Sequence, residues 1–156
     1  IDVFEPWFLA SYFQDNMNKF IQCNELYDKA WQFYERNAYI ISLEYLNEAI
    51  SLSLYLAISP TRLSKTFELR GLVRMQLEQY QSSIIDFNKA INLDSKNPSF
   101  YYYRHLSHSV LSRYEEAIED CKRLIILEPE DEIHRKNLKS LEEISILNKR
   151  FNEQNE

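Results

Sequence analysis

The sequence predicts an all-α protein, and its composition and internal spacing both support this. The 156 residues include only one glycine and four prolines, too few for the turns of β-hairpins or for phosphate-binding loops. Each proline (Pro6, Pro60, Pro98 and Pro129) stands where an apolar-periodic run begins, a position that the first turn of a helix tolerates. A chain of this length can hold a core without disulfides or metals.

Charge and cysteine content exclude several classes of protein. The chain has 18 basic and 24 acidic residues, a net charge of −6, so nucleic acid is not an expected partner. Cys23 and Cys121 lie far apart and are expected to be reduced thiols of a cytoplasmic protein. No apolar run is long enough to span a membrane. Because the chain begins at Ile1 rather than Met, we expect a piece of a longer protein, whose targeting segment lies outside it.

The first element is an aromatic-rich segment within residues 1–29. Residues 5–22 hold five large aromatic side chains and predict a helix whose apolar surface must be buried somewhere. This segment is a candidate for self-association or for filling a groove of the same chain. The five are Trp7, Phe8, Tyr12, Phe13 and Phe20.

Internal repeats occupy residues 30–131. Aligning the chain with itself at a shift of 34 residues, without gaps, gives three copies at 30–63, 64–97 and 98–131. The shared columns include an arginine in every copy: Arg36, Arg70 and Arg104. Apolar residues within each copy recur at helical spacing, with charged residues on the opposite face. Each copy is therefore predicted to form two helices.

The second and third copies resemble the tetratricopeptide repeat (TPR), a 34-residue helix-turn-helix unit. The matching residues of the second copy are Gly71, Tyr80, Phe87 and Ala90, and those of the third are Tyr101, Tyr114, Ala117 and Pro129. The first copy departs from the pattern, since Asn37 occupies the position of the small residue. The resemblance implies a stacked array of helical hairpins. With a flanking helix at each end, about eight helices are expected.

The last element is an amphipathic run over residues 130–152, followed by a short tail. Its apolar stripe alternates with polar positions at helical spacing, and acidic residues in its first turn complement the helix dipole. Residues 132–156 are therefore predicted to form a C-terminal capping helix and tail.

The resemblance implies that the first helix of each repeat lines a concave groove. On the 34-residue alignment this groove is apolar and aromatic, and is expected to bind a helical or extended segment of another protein. Either a partner or the protein itself, through residues 5–22 or a second copy, is expected to fill it. The predicted groove residues are Tyr34, Ala38, Ile41, Leu69, Leu72, Met75, Tyr102, Tyr103 and Leu106.

Relatives that hold the acidic tails of chaperones use lysine, arginine and asparagine at five clamp positions. The matching residues here are Tyr34, Ala38, Leu69, Ser99 and Tyr103. None can pair with a carboxylate as the clamp does, and an unpaired buried carboxylate is costly. A chaperone-tail adaptor is therefore not expected.

Two clusters of residues are candidates for chemical sites. His105, His108 and Cys121 suggest a metal or thiol site, but a buried histidine at a small-residue position is the preferred interpretation. The repeated arginines are interpreted as structural, each reaching an acidic neighbour. No catalytic residue, metal or cofactor is expected.

The sequence therefore predicts a non-catalytic interaction module whose partner is another protein or peptide. The alternatives are a structural subunit permanently buried in a larger assembly and an accessory domain of a larger enzyme. A chaperone of secreted proteins is a variant of the first prediction.

Overall fold

The computed structural model describes the backbone of residues 6–56 and 59–154, and side chains from residue 9 onward within those ranges. These residues form seven α-helices and no strand. The helices are α1 (Pro6–Glu35), α2 (Tyr39–Tyr55), α3 (Pro60–Gln76), α4 (Tyr80–Leu93), α5 (Pro98–Val110), α6 (Tyr114–Leu127) and α7 (Glu132–Glu153). Successive helices pack against one another along the chain. The all-α repeat array predicted from the sequence is confirmed.

Helix α1 explains why there are seven helices rather than about eight. It is a single helix of 30 residues, about 45 Å long at 1.5 Å per residue. It joins the aromatic segment to the first helix of the first hairpin, and the domain boundary predicted at residue 30 lies inside it. Nothing between Phe20 and Ala30 would end a helix, because this stretch has no glycine or proline.

The three turns within the hairpins share one backbone pattern. Each has a non-glycine residue in the left-handed region, with φ of 59° at Asn37, 58° at Glu78 and 57° at Ser112. The next amide in each turn donates to the carbonyl five residues earlier, which satisfies a free end of the helix. These bonds are Ala38 N to Phe33 O (2.9 Å), Gln79 N to Arg74 O (2.8 Å) and Arg113 N to His108 O (2.9 Å).

The turns fix the register between the hairpins. Glu78 and Ser112 are 34 residues apart, but Asn37 and Glu78 are 41 apart. The gap-free alignment therefore holds for the second and third hairpins, whereas the first is displaced by seven residues. Helix α2 has three residues more than α4, 17 against 14, and α3 has four more than α5, 17 against 13. These two extensions account for the displacement.

The corrected register pairs a smaller with a larger side chain where the two helices of each hairpin cross. In the second hairpin, a Cβ added to Gly71 would lie 2.7 Å from Cζ of Phe87. The same positions hold Ala30 and Leu46 in the first hairpin, and His105 and Cys121 in the third. All six residues are buried. Close packing of this kind makes the hairpin core sensitive to single methyl groups.

Two of the three repeated arginines have the structural role predicted for them. Arg70 makes a bidentate contact with the buried Asp86, at 3.0 and 2.7 Å, and Arg104 makes the same contact with Asp120. A second arginine, Arg74, also reaches Asp86, at 2.7 Å. The expectation that Arg36 is their equivalent was wrong, because it lies exposed in the α1–α2 turn.

The residue equivalent to these arginines in the first hairpin is Lys29. Its ammonium lies 5.9 Å from the ring centroid of Tyr45, which occupies the position of Asp86 and Asp120. A cation–π contact therefore replaces the arginine–aspartate pair in this hairpin.

Helix α7 covers the last hairpin. Leu141 is buried in a cluster with Ala117, Ile118 and Cys121, and Asp131 caps the helix by accepting from the amide of Ile133 at 2.8 Å. Within the described ranges, no helix has the length and hydropathy needed to cross a lipid bilayer.

Candidate functional site

The first helices of the three hairpins, α1, α3 and α5, form one continuous face, here named the inner face. Helix α3 contacts both α1 and α5. Four sets of equivalent positions on these helices point away from the hairpin cores and keep part or all of their surface exposed. The sets are Asn24, Lys65 and Ser99; Tyr27, Glu68 and Tyr102; Trp31, Leu72 and Leu106; and Tyr34, Met75 and Ser109.

Aromatic rings on the inner face are held in place by one another. The ring centroids of Trp31 and Tyr34 are 5.8 Å apart, and those of Tyr102 and Tyr103 are 5.3 Å apart, edge to face. Tyr103 also stacks on the buried Phe87 at 6.0 Å. Trp31 nevertheless keeps 42% of its surface exposed. The face therefore presents large apolar groups in a fixed arrangement.

Six of the nine predicted groove residues lie on or beside this face. They are Tyr34, Leu72, Met75, Tyr102, Tyr103 and Leu106. The other three were wrong. Ala38 precedes α2 and Ile41 lies within α2, because the first copy was aligned seven residues too far along the chain. Leu69 is only 1% exposed and packs in the core with Ala30, Leu46 and Val73.

Sequence reasoning missed Tyr27 and Trp31, which occupy the positions assigned to Tyr34 and Ala38. One signal could have found them. Residues 39–43, YIISL, match residues 80–84, YQSSI, and residues 114–118, YEEAI, but only if the first copy is shifted by seven residues. The arginine column at 34-residue spacing concealed this match.

Glu68 is the acidic residue among these twelve positions and lies near the centre of the face. Burial raises the pKa of its carboxyl, and Ser99 and Lys65 oppose that shift. The pKa of Tyr27 and of Tyr103 is also raised, in both cases first by burial and then by the charge of Glu68. The carboxylate therefore lies between tyrosines of α1 and α5.

A second acidic feature lies where α6 meets α7. Nε2 of the buried His134 is 2.8 Å from Glu128 Oε2 and 3.7 Å from Asp131 Oδ2. The three donor atoms lie within 4.8 Å of one another, but Nδ1 of His134 has no hydrogen-bond partner, whereas metal-bound imidazoles usually donate their second N–H. A hydrogen bond from His134 to Glu128 accounts for the geometry.

The histidines and the cysteine of the third hairpin are buried among core residues. Burial lowers the pKa of His105 and of His108, and it raises the pKa of the Cys121 thiol to about 11. A thiol with this pKa is protonated at neutral pH and is a poor nucleophile or metal ligand. The preferred interpretation of His105 as a core residue agrees with this burial.

A comparison with known families identifies the second hairpin. Residues 64–97 match the family model of the tetratricopeptide repeat. The match spans most of α3, all of α4 and the loop before α5. The flanking hairpins share the turn of this hairpin. The second hairpin is therefore a tetratricopeptide repeat, and the described part of the chain has the fold of an array of such repeats. No curated protein matches the chain significantly.

Solved TPR domains share the fold of about four fifths of this chain at low sequence identity. The TPR domain of Arabidopsis OM64 is 22% identical, with a TM-score of 0.70 over 80% of this chain and 98% of that one. The second TPR domain of human RPAP3, in complex with the HSP70 peptide SGPTIEEVD, is 18% identical, with a TM-score of 0.69 over 80% and 98%. The Sgt2 TPR domain of Aspergillus fumigatus is 15% identical, with a TM-score of 0.68 over 82% of each chain.

The register correction also changes the TPR clamp positions. Tyr27 and Trp31 replace Tyr34 and Ala38 in the first repeat, while Leu69, Ser99 and Tyr103 keep their positions. None of the five carries an ammonium, guanidinium or carboxamide group, and Leu69 is buried. The residues that hold a terminal carboxylate in clamp-type TPR domains are therefore absent at the corrected positions as well.

Proposed function

We propose that this TPR array is a non-catalytic interaction module that binds a helical or extended segment of another protein against its inner face. The supporting observation is the continuous set of part-exposed aromatic and aliphatic side chains on α1, α3 and α5. One set of equivalent positions, Trp31, Leu72 and Leu106, runs across all three helices. Apolar groups arranged in this way suit a segment with its own apolar anchors.

The rigidity of the face favours binding. Trp31, Tyr102 and Tyr103 are fixed by ring contacts, so little side-chain freedom is lost when a ligand covers them. Large aromatic anchors near the centre of an interface typically carry more than about 1 kcal/mol each. Solved TPR domains with this fold include one that holds an HSP70 peptide. The clamp positions of the present chain favour a ligand of different chemistry.

The burial of the cysteine and histidines of the third hairpin supports a module without catalytic groups. Catalysis by a nucleophile needs an activated side chain that substrate can reach. Cys121 is fully buried with a pKa of about 11, and His105 and His108 are buried with lowered pKa values. All three contribute to packing of the third hairpin.

A specific observation favours a second candidate, a subunit that associates through the first half of α1. Helix α2 ends at Tyr55, whose ring lies 4.9 Å from the ammonium of Lys19, so α1 extends beyond α2 for several turns. This extension continues along α1 and does not fold back across the inner face. The exposed apolar residues of this extension and of the turn that follows it are Leu9, Tyr12, Phe13, Met17, Phe20 and Ile21.

Peptide display tests the proposed function. Random linear peptides are selected on the wild-type chain, and the strongest binders are measured against a triple inner-face variant, Trp31→Gln, Leu72→Gln and Leu106→Gln. Binding is expected to weaken at least about 100-fold, because three anchors of more than about 1 kcal/mol each are lost. Circular dichroism and thermal unfolding check that the variant keeps its helices.

The matched control changes three exposed apolar residues on the second helices: Ile40→Gln, Ile85→Gln and Ile126→Gln. This outer-face variant is expected to bind the selected peptides as the wild type does. The inner face would be refuted as the site if the inner-face variant bound the selected peptides as tightly as the wild type does. It would also be refuted if the inner-face and outer-face variants lost the same amount of binding. Concentration-dependent dimerisation that disappears when Phe13 and Phe20 are changed to Gln would support the second candidate instead.

A further inference from the structure

We infer that the inner face recognises a basic residue of the bound segment, an arginine or lysine, whose cationic group pairs with Glu68. This inference rests on the proposed function and specifies the chemistry of the ligand. Among the described residues, no lysine, arginine or histidine nitrogen lies within 4.0 Å of the Glu68 carboxylate, whereas the other two part-buried or buried acids at the hairpin centres, Asp86 and Asp120, have arginine partners. Glu68 therefore lacks a direct cationic partner.

The surroundings of Glu68 favour an organic cation over an anion. Tyr27 of α1 and Tyr103 of α5 lie close enough for the Glu68 charge to raise the pKa of each phenol. Tyr102 packs edge-on against Tyr103 at 5.3 Å between centroids. A carboxylate between aromatic rings offers both a charge-assisted hydrogen bond and cation–π attraction. Arginine suits this arrangement best because its planar group can do both at once.

A depression lined by Tyr103, the tyrosine whose pKa the Glu68 charge raises, gives such a side chain a place to enter, although Glu68 does not itself line it. Its volume is about 390 Å³, and Ser99, Tyr102 and Tyr103 line it on the side of α5. The Ser99 hydroxyl donates to Asn97 Oδ1 at 2.8 Å, and its proximity lowers the pKa of Glu68. The opposite wall includes Glu128 and Asp131, which add negative charge there. An acidic peptide would be repelled by these groups, and a basic one attracted.

Cationic side chains on α3 offset the effect of burial on the Glu68 carboxyl only in part. Lys65 is exposed one turn earlier on α3, and its charge lowers the pKa of Glu68. The charge of Arg62 likewise lowers the pKa of the Tyr27 phenol. Burial nevertheless remains the largest effect on the Glu68 carboxyl, and its net pKa stays raised. A ligand cation that pairs directly with Glu68 would remove this desolvated, unpaired charge.

The selected peptides also test this inference. In the presence of EDTA, wild-type selection is expected to enrich arginine or lysine at one peptide position, and selection on a Glu68→Gln variant is expected to lose that enrichment. Replacing the enriched residue by alanine in a synthetic peptide should weaken binding to wild type about tenfold, the scale of one charge-assisted contact. The same replacement should change binding to Glu68→Gln by less than about twofold.

The outcomes separate the two proposals. The role of Glu68 would be refuted if peptides that need the inner face showed no preference for a basic residue. It would also be refuted if the alanine substitution in the peptide weakened binding to wild type and to Glu68→Gln equally. Either result would leave the proposed function standing. Peptides that bind the triple inner-face variant normally would refute both proposals, as would a library that yields no binder. Peptides that are selected only without EDTA, and whose binding EDTA abolishes, would show that Glu128 and Asp131 hold a metal ion, and the basic-residue proposal would fail. Equal thermal stability of Glu68→Gln and wild type excludes unfolding as the cause.

Discussion

The first hairpin and the two that follow it have the same turn but different side-chain contacts. The second and third place an arginine–aspartate pair between their helices, and an asparagine of the preceding hairpin accepts from each arginine, Asn47 at 2.8 Å and Asn88 at 2.6 Å. The first hairpin places Lys29 over Tyr45 instead. The backbone turn is therefore independent of the polar pair beside it.

The residues at the helix crossings also differ between the first and second hairpins, and they differ in pairs. Gly71 faces Phe87, and the equivalent pair in the first hairpin is Ala30 and Leu46. In each of these pairs a larger residue on one helix accompanies a smaller one on the other, which keeps the crossing filled. The pair, rather than the single residue, is the unit that specifies the hairpin. Three substitutions test this comparison.

The largest effect is expected for Asp86→Asn in the second hairpin. Asp86 is fully buried and contacts both Arg70 and Arg74, so loss of its charge leaves two partly buried guanidinium groups without their partner. A cost of about 3–5 kcal/mol is expected. Urea unfolding would measure it. Asp120→Asn should cost less because Asp120 pairs with Arg104 alone, and equal losses would contradict the two-arginine arrangement.

An intermediate effect is expected for Gly71→Ala. Helix propensity alone favours alanine by about 1 kcal/mol, but the new methyl group would lie 2.7 Å from the buried Phe87 ring. Overpacking typically costs about 1–3 kcal/mol, so a net loss of about 1 kcal/mol is expected in thermal or urea unfolding.

A second substitution distinguishes overpacking from a backbone effect. Phe87→Leu alone should destabilise the chain by leaving a cavity, but the double variant recreates the alanine–leucine pair of the first hairpin. The double variant should therefore be more stable than the sum of the two single losses predicts, by about 1 kcal/mol. Simple additivity would show that the crossing residues do not act as a pair.

The sequence was sufficient to predict the second and third hairpins because their periodicity is local. Pro98, Tyr101, Tyr114 and Ala117 identify helix starts and packing positions without knowledge of any distant contact. The first hairpin was misplaced because two extensions, in α2 and α3, move it out of the 34-residue period. Arg36 then coincided by chance with Arg70 and Arg104 and supported the displaced alignment.

The inner face was partly predicted for the same reason. Of the residues assigned to the groove on α3 and α5, all but Leu69 lie on or beside this face. The burial of Leu69 depends on its contact with α1 and α2. Tyr27 and Trp31 were missed with the register. That no cationic group of the described residues lies within 4.0 Å of the Glu68 carboxylate could not be predicted, because it depends on distances between three helices.

The smallest effect is expected for Arg36→Ala, and it tests the register directly. In the gap-free alignment Arg36 would be the partner of a buried acid, and its loss would destabilise the chain as severely as loss of Arg104. In the structure it lies exposed in the turn after α1, so its removal should change the free energy of unfolding by no more than about 0.5 kcal/mol. Arg104→Ala is the matched control: it leaves Asp120, only 2% exposed, without its guanidinium partner and should cost about 3–5 kcal/mol. A large loss for Arg36→Ala in urea unfolding would restore the 34-residue register and remove Tyr27 and Trp31 from the inner face.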